Sequence, residues 1–277
     1  MRPEVREQLE PFFRLLAHST DSALLLDYDG TLAPFQTQRN QAFPYPGVAL
    51  LLQEIVREAY SRVVVISGRE VTDLLPLIDI HPRPEIWGIH GLQRLRTDGT
   101  TEMPHLDDRT LQGLSDAERW LSYKHLRHRA EFKPGGIAVH WRGLPPLDAA
   151  DLRARVLLGW RPIVEEHGLD LLDFDGGIEI RARKANKGDA VRDFLDEVNP
   201  ETPVAYLGDD TTDEQAFHAM GDRGVTILVR TEWRESAAGL WLSPPGELIE
   251  FLELWLKTSA AAQRHHGYGG GAKVVNL

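Results

Sequence analysis

Two carboxylates one residue apart, Asp27 and Asp29, follow the apolar run Leu24-Leu25-Leu26 in the segment Asp27-Tyr28-Asp29-Gly30-Thr31. A short run that is apolar throughout reads as a strand buried on both faces, and the loop past the carboxyl end of such a strand is where open α/β sheets bind ligands. Two acids held in one loop can divide the work, one attacking as a nucleophile and the other moving a proton. An Asp-x-Asp-Gly turn also opens calcium loops. Those require a preceding helix and a downstream glutamate at fixed spacing, whereas here the lead-in is a strand and position 38 is Gln.

Three further segments repeat the theme. Val63-Val64-Val65-Ile66 runs into Ser67-Gly68-Arg69, a hydroxyl and a glycine at a strand end before a helix, where exposed N–H groups favour phosphate. Asn186-Lys187-Gly188 opens a helix with a lysine that can present a point charge to phosphate. Tyr206-Leu207-Gly208 ends in Asp209 and Asp210, hard oxygen ligands of the kind magnesium takes. Each segment has a plainer reading: Ser67 as a helix cap, Lys187 as a solvated side chain, and the acids through Asp213 and Glu214 as an N-terminal helix cluster. The ordered set of four carries the weight: acids, hydroxyl, lysine, acids, each at the start of a loop or helix.

The elements that must position these groups alternate. Strands are expected at Ala23–Leu26, Val63–Ile66, Glu85–Ile89, Pro203–Leu207 and Val225–Val229. Helices are expected at 4–18, Val48–Ala59, Val71–Leu77, Gly188–Glu197, from Asp213, and at Gly246–Leu256. This predicts a parallel sheet covered by helices. The middle of the chain reads as α+β, with helices at Asp108–Arg129 and Asp148–His167, a half-buried strand at Ile137–Trp141, and a hairpin turning at Asp175-Gly176-Gly177 between Leu169–Phe174 and Ile178–Arg183. The expected organisation is an α/β core of Rossmann-like type at 1–106 and 184–257, an inserted α+β cap at 107–183, and a flexible Gly- and His-rich tail at 258–277.

The four motifs in this order, with an insertion between the second and third, resemble the haloacid-dehalogenase-like phosphohydrolase superfamily. Asp27 to Pro34, Asp-Tyr-Asp-Gly-Thr-Leu-Ala-Pro, resembles the first motif of its trehalose-6-phosphate phosphatase family. Gly88-Ile89-His90-Gly91 resembles that family's Glu-His-Gly segment, with Ile89 in place of the usual Glu. Glu131-Phe132-Lys133 and His140-Trp141-Arg142 resemble its cap signature. Glu179-Ile180-Arg181 resembles its Glu-Val-Arg-Pro stretch, with Ala182 replacing proline, and Gly176-Gly177 stands where Gly-Lys is common.

The resemblance implies a sugar-phosphate phosphatase with Asp27 as nucleophile and Asp29 as general acid and base. It implies phosphate held by Thr31, Ser67, Gly68 and Lys187, and Mg2+ held by Asp27, Asp29, Asp209 and Asp210. Glu131, Lys133, His140, Arg142 and Glu179 would read the sugar. Trehalose 6-phosphate leads among substrates. Other glycosyl phosphates (sucrose phosphate, mannosyl-phosphoglycerate, glucosylglycerol phosphate), a mutase, and a noncatalytic sugar-phosphate sensor stay open as alternatives.

Composition bounds the rest. The 277 residues contain no cysteine, which excludes disulfides, thiol nucleophiles and thiolate metal sites. A net charge of −11 disfavours nucleic-acid binding. Met1 to Ser19 holds no apolar run of signal-peptide length, and Ala23–Leu26 and Val63–Ile66 are too short to span a bilayer. A cytoplasmic monomer or weak oligomer, without nucleic-acid or membrane partners, is expected.

Overall fold

The computed structural model describes residues 1–267 except 37, 59, 60 and 175, with side chains up to 262. The expected α/β core with an α+β insertion is borne out. Eight strands form the large sheet: β1 (Ala23–Leu26), β2 (Arg62–Ile66), β3 (Glu85–Gly88), β4 (Gln93–Leu95), β5 (Thr101–Glu102), then β10 (Val204–Gly208), β11 (Gly224–Val229) and β12 (Leu240–Leu242). Their spatial order is β12-β11-β10-β1-β2-β3-β4-β5, and pairing is parallel from β12 to β3 and antiparallel at β4 and β5. Residues 23–26 are buried on both faces, because helices cover both sides of the sheet. One side carries α1 (Pro3–Leu16), α2 (Val48–Arg57) and α8 (Gly246–Gly267), whose Phe12, Phe13, Phe251 and Trp255 rings pack together. The other carries α6 (Lys187–Glu197) and α7 (Thr211–Met220). The short α3 (Val71–Leu74) follows β2.

The insertion is a four-stranded antiparallel sheet in the order β6-β7-β9-β8, formed by β6 (Ala130–Lys133), β7 (Gly136–His140), β8 (Asp170–Phe174) and β9 (Gly177–Arg181), and backed by α4 (Asp108–Tyr123) and α5 (Pro146–His167). Alternation sorts its two faces. Ile137, Val139, Ile178 and Ile180 turn to the helices and join Ala117, Leu121, Val156 and Trp160 in a separate apolar core. The opposite face carries the polar set. Register places Ala138 directly between Glu131 on β6 and Glu179 on β9, so the small residue leaves both carboxylates room on one face.

Some boundaries differ from the sequence reading. The helix expected at Asp108–Arg129 stops at Tyr123, and a 3-10 turn follows at Arg127–Arg129. The tail expected to start at 258 is corrected: α8 runs on to Gly267, and 268–277 lie outside the described residues. Ala59, the expected end of α2, and Asp175, in the expected hairpin turn, also lie outside them. No helix among the described residues is long and apolar enough to cross a membrane.

Candidate functional site

Because β1 lies between β10 and β2, the loops after these three strands meet at one edge of the sheet. Asp27 follows β1, Ser67 follows β2 and Asp209 follows β10, and all three are buried. Lys187, at the start of α6, donates from Nζ to Asp27 Oδ1 at 2.5 Å and to Asp213 Oδ1 at 2.7 Å. Thr31 Oγ1 donates to Asp27 Oδ2 at 3.0 Å. Asp213 also accepts from Tyr206 OH at 2.7 Å and from the backbone N–H groups of Asp209 and Asp210, each at 3.0 Å. Its two oxygens therefore fix Lys187 and the turn after β10 together. The helix-cap reading of this segment is thus true as well: Asp210 and Asp213 form a reciprocal capping box at the start of α7.

Of the four acids expected around a metal, the structure gathers Asp27 and Asp209 and adds Asp213, with one oxygen of each within 4.8 Å of the others. Asp210 turns to its helix cap. Asp29 is gripped on both oxygens by Arg69, Nε to Oδ2 at 2.6 Å and Nη2 to Oδ1 at 2.5 Å. Asp209 tests whether a cation fits. It is 1% exposed, yet both of its carboxylate oxygens lack a hydrogen-bond donor among the described residues. Burial, then Asp27 and Asp213, push its pKa well above the ordinary carboxylate value. Arg230 Nη1 stands 3.9 Å from Oδ2, beyond hydrogen-bond reach. A buried carboxylate without hydrogen bonds is costly, and a hard cation is the partner that relieves it. Gly30 makes room for this group: with φ at +91°, it presents its backbone to Asp209, and a Cβ there would lie 2.1 Å from Oδ2. Burial also raises Asp27 to about 7, against the pull of Lys187. Lys187 keeps its charge because Asp213 and Asp27 outweigh the cost of burial and raise its pKa.

Above this floor the polar face of the cap sheet closes a cavity of about 540 Å³. Such a volume lies within the roughly 300–1,000 Å³ of small-molecule sites. Its walls combine Asp27, Asp29, Ser67, Gly68 and Lys187 from the core with Glu131, Lys133, His140, Arg142 and Glu179 from the cap. The structure therefore brings together the cap residues and core residues singled out in the sequence, with Thr31 just beneath on Asp27. Glu179 is 2% exposed and accepts from Lys133 Nζ at 3.3 Å and His90 Nε2 at 3.2 Å. Burial resists its charge, but Lys133 and the His90 hydrogen bond hold its pKa well below the ordinary value. Glu131 Oε2 accepts from His140 Nε2 at 2.9 Å and from Arg39 of the core. Arg142 lies with its guanidinium 5.2 Å from the centre of the Phe35 ring.

Sequence reasoning quoted His90 and Arg69 within motifs but gave them no role, and it missed Arg39 altogether. His90 follows β3 in a turn where Ile89 and His90 both have positive φ, 52° and 55°. A β-branched residue there is strained, and two backbone bonds hold it: Ile89 N to Arg69 O at 2.8 Å and His90 N to Ser67 O at 2.7 Å. The imidazole covers Gly68 so closely that a Cβ on Gly68 would lie 2.7 Å from Cε1. A buried side chain bonded across from core to cap was the signal, and only the fold reveals it.

Burial lowers both His90 and His140 to about 4. The unfolded value is about 6.5. A depressed folded pKa means that the unfolded chain takes up protons first, so stability is present above pH 6.5 and lost as pH falls towards 4. His90→Gln keeps a donor for Glu179 but does not titrate. Its Tm, followed by circular dichroism, should therefore fall less steeply than that of the wild type between pH 6.5 and 4. Parallel curves would show that His90 takes up its proton at the same pH in the folded and unfolded states.

Known proteins align with this architecture. The family model for trehalose-phosphatase matches residues 25–240. A trehalose-phosphate phosphatase of Mycobacterium marinum is 30% identical over 248 residues, spanning 83% of this chain and 60% of that protein. The chain thus spans 60% of the length of that relative. The trehalose-6-phosphate phosphatase of Escherichia coli is 28% identical over 235 residues, covering 81% of this chain and 85% of that one. The C-terminal domain of Candida albicans trehalose-6-phosphate phosphatase shares the fold, with a TM-score of 0.74 at 19% identity over 90% of this chain and 96% of that one. The matched region contains all four motifs and the whole cap, so the chain belongs to the trehalose-phosphatase family.

Proposed function

We propose that the protein hydrolyses trehalose 6-phosphate to trehalose and phosphate, with Asp27 as nucleophile and the 107–183 insertion as the part that reads the sugar. The observation that carries this is the single cavity joining a buried Asp27–Lys187 pair to a polar cap face. A phosphate dianion needs positive charge and N–H donors, which Lys187 and the turn after Ser67 supply at the floor. A disaccharide offers neutral hydroxyls, which pair well with the charged groups of the cap.

Asp27, held by Lys187 and Thr31, attacks phosphorus and forms an aspartyl-phosphate. Asp29 gives a proton to the leaving sugar oxygen and then takes one from the water that opens the intermediate. For this, Asp29 must leave the grip of Arg69, whose guanidinium is then available to the phosphoryl oxygens. Lys187, Ser67 and Thr31 hold those oxygens in place. Mg2+ fits at Asp209 and Asp27, with Asp213 orienting the turn behind them, and when bound it screens the charge between phosphate and nucleophile. The cap excludes bulk water from the cavity.

Glu179 has two jobs in this account. It faces the cavity and neutralises Lys133 beside His90. Glu179→Ala removes the nearer of the two carboxylates on the buried Lys133 ammonium and leaves Glu131 at 3.9 Å, so it should destabilise the protein by roughly 3 kcal/mol in a denaturant titration. It should also lower kcat/KM for trehalose 6-phosphate by about one to two orders of magnitude, with a smaller loss on an aryl phosphate. Equal losses on both substrates would assign Glu179 to the fold alone.

Product analysis tests the proposal. Incubation of trehalose 6-phosphate with the protein and Mg2+ should release trehalose and inorganic phosphate in equal amounts. An isomeric sugar phosphate without free phosphate would instead identify a mutase. Binding without any product would identify a sensor.

A further inference from the structure

Arg39 belongs to no motif, yet, like His90, it is a core residue whose side chain reaches the cap. It opens a 3-10 turn, Arg39–Gln41, in the loop between β1 and α2, and its side chain lines the cavity. Its guanidinium pairs with Glu131 Oε2 on β6 of the cap, 92 residues away, the same oxygen that accepts from His140. Its backbone carbonyl accepts from Arg69 Nη1 at 2.7 Å, and Arg69 in turn grips both oxygens of Asp29. The side chain therefore reaches the sugar-facing sheet, while the main chain steadies the acid–base pair.

We propose that Arg39 is a specificity-determining residue that ties the cap's Glu131 to the core and, with it, frames the sugar half of the cavity. This role rests on the sugar-phosphate reading above.

The arrangement explains why an arginine sits there. Burial and the neighbouring Arg69 both disfavour its charge and lower its pKa, with Asp29 pulling the other way. Glu131 is the carboxylate with which its guanidinium pairs directly. One guanidinium offers five N–H donors in a fixed plane, more than Glu131 alone can use, so donors remain for sugar hydroxyls. The phosphate end of the cavity, at Lys187 and Ser67, lies with other groups. A substrate that fills only that end has little use for Arg39, while one with a sugar attached depends on it. Truncating the side chain leaves the carbonyl, and so Arg69 and Asp29, in place. The loss should therefore fall on the sugar.

The test uses the full chain with Mg2+ and four variants: Arg39→Ala, Arg39→Lys, Glu131→Gln and the double Arg39→Ala/Glu131→Gln. Each is assayed on trehalose 6-phosphate and on p-nitrophenyl phosphate. The ratio of the two kcat/KM values should fall about 10- to 100-fold in Arg39→Ala, mainly through KM. It should also fall in Arg39→Lys, which keeps the charge and guards against a variant that fails to fold. The double variant should lose no more than about threefold beyond the worse single one, because the two groups act as a pair. Equal losses on both substrates, an unchanged ratio, or fully additive losses would overturn the assignment. If the wild type prefers another glycosyl phosphate, the ratio is taken with that compound, and the trehalose reading falls while this one is still judged. A wild type that turns over no glycosyl phosphate overturns both.

Discussion

Asp27→Asn should abolish turnover, by roughly 10³-fold or more, while the protein stays folded. The carboxylate combines a strand-end position at the floor of the cavity with two donors, Lys187 on one oxygen and Thr31 on the other. An amide of the same shape keeps an acceptor for Lys187 and turns a donor towards the Thr31 hydroxyl, which can accept, but it cannot attack phosphorus. The fold should not suffer, because burial and the nearby Asp213 already raise this carboxyl to about 7 and make its charge a liability in the absence of bound ligands. A Tm equal to or above that of the wild type, measured without Mg2+, would confirm that the lost activity is chemical. Residual turnover near the wild-type level would remove Asp27 from the nucleophile's role.

Removal of metal should have a comparable effect. Excess chelator should eliminate phosphate release and added Mg2+ should restore it, because three acids crowd within 4.8 Å and Asp209 has no hydrogen-bond donor among the described residues. Stability offers a second readout. Binding to the folded state alone raises stability by about 2.7 kcal/mol at a hundredfold excess over Kd, or roughly 5–10 °C in Tm for a chain of this size. Asp209→Asn should abolish that rise and leave the metal-free protein as stable as the wild type or more so, since it removes a buried carboxyl that burial, Asp27 and Asp213 all keep from ionising. Full activity in chelator, or an undiminished Mg2+-dependent rise in the variant, would contradict the metal site.

The sequence revealed these core groups because each follows an apolar run that can only be a buried strand, and adjacency of β10, β1 and β2 then forces the loops together. The cap was harder to read. Glu131, Lys133, His140 and Glu179 came from resemblance to a family; what gives them meaning is register, with Ala138 spacing two carboxylates on one face. Register is not visible in composition or periodicity. Short strands were missed for a related reason: β4, β5 and β12 have two or three residues each, too few to show alternation. Arg39 and Arg69 stayed hidden because their partners are 92 and 40 residues away, and an isolated arginine in a loop carries no local signal. Asp213 was read as a helix cap, which it is, and this true local role masked its bond to Lys187.

Phosphate release across a panel of sugar phosphates, with Mg2+ present, tests the central claim most directly. The panel should include trehalose 6-phosphate, sucrose 6-phosphate, glucose 6-phosphate and a mannosyl-phosphoglycerate. The account predicts the highest kcat/KM for trehalose 6-phosphate, by at least about tenfold, because one hydrogen-bonded charged contact in the cap contributes that much discrimination. Equal values across the panel, or a higher value for another member, would contradict it.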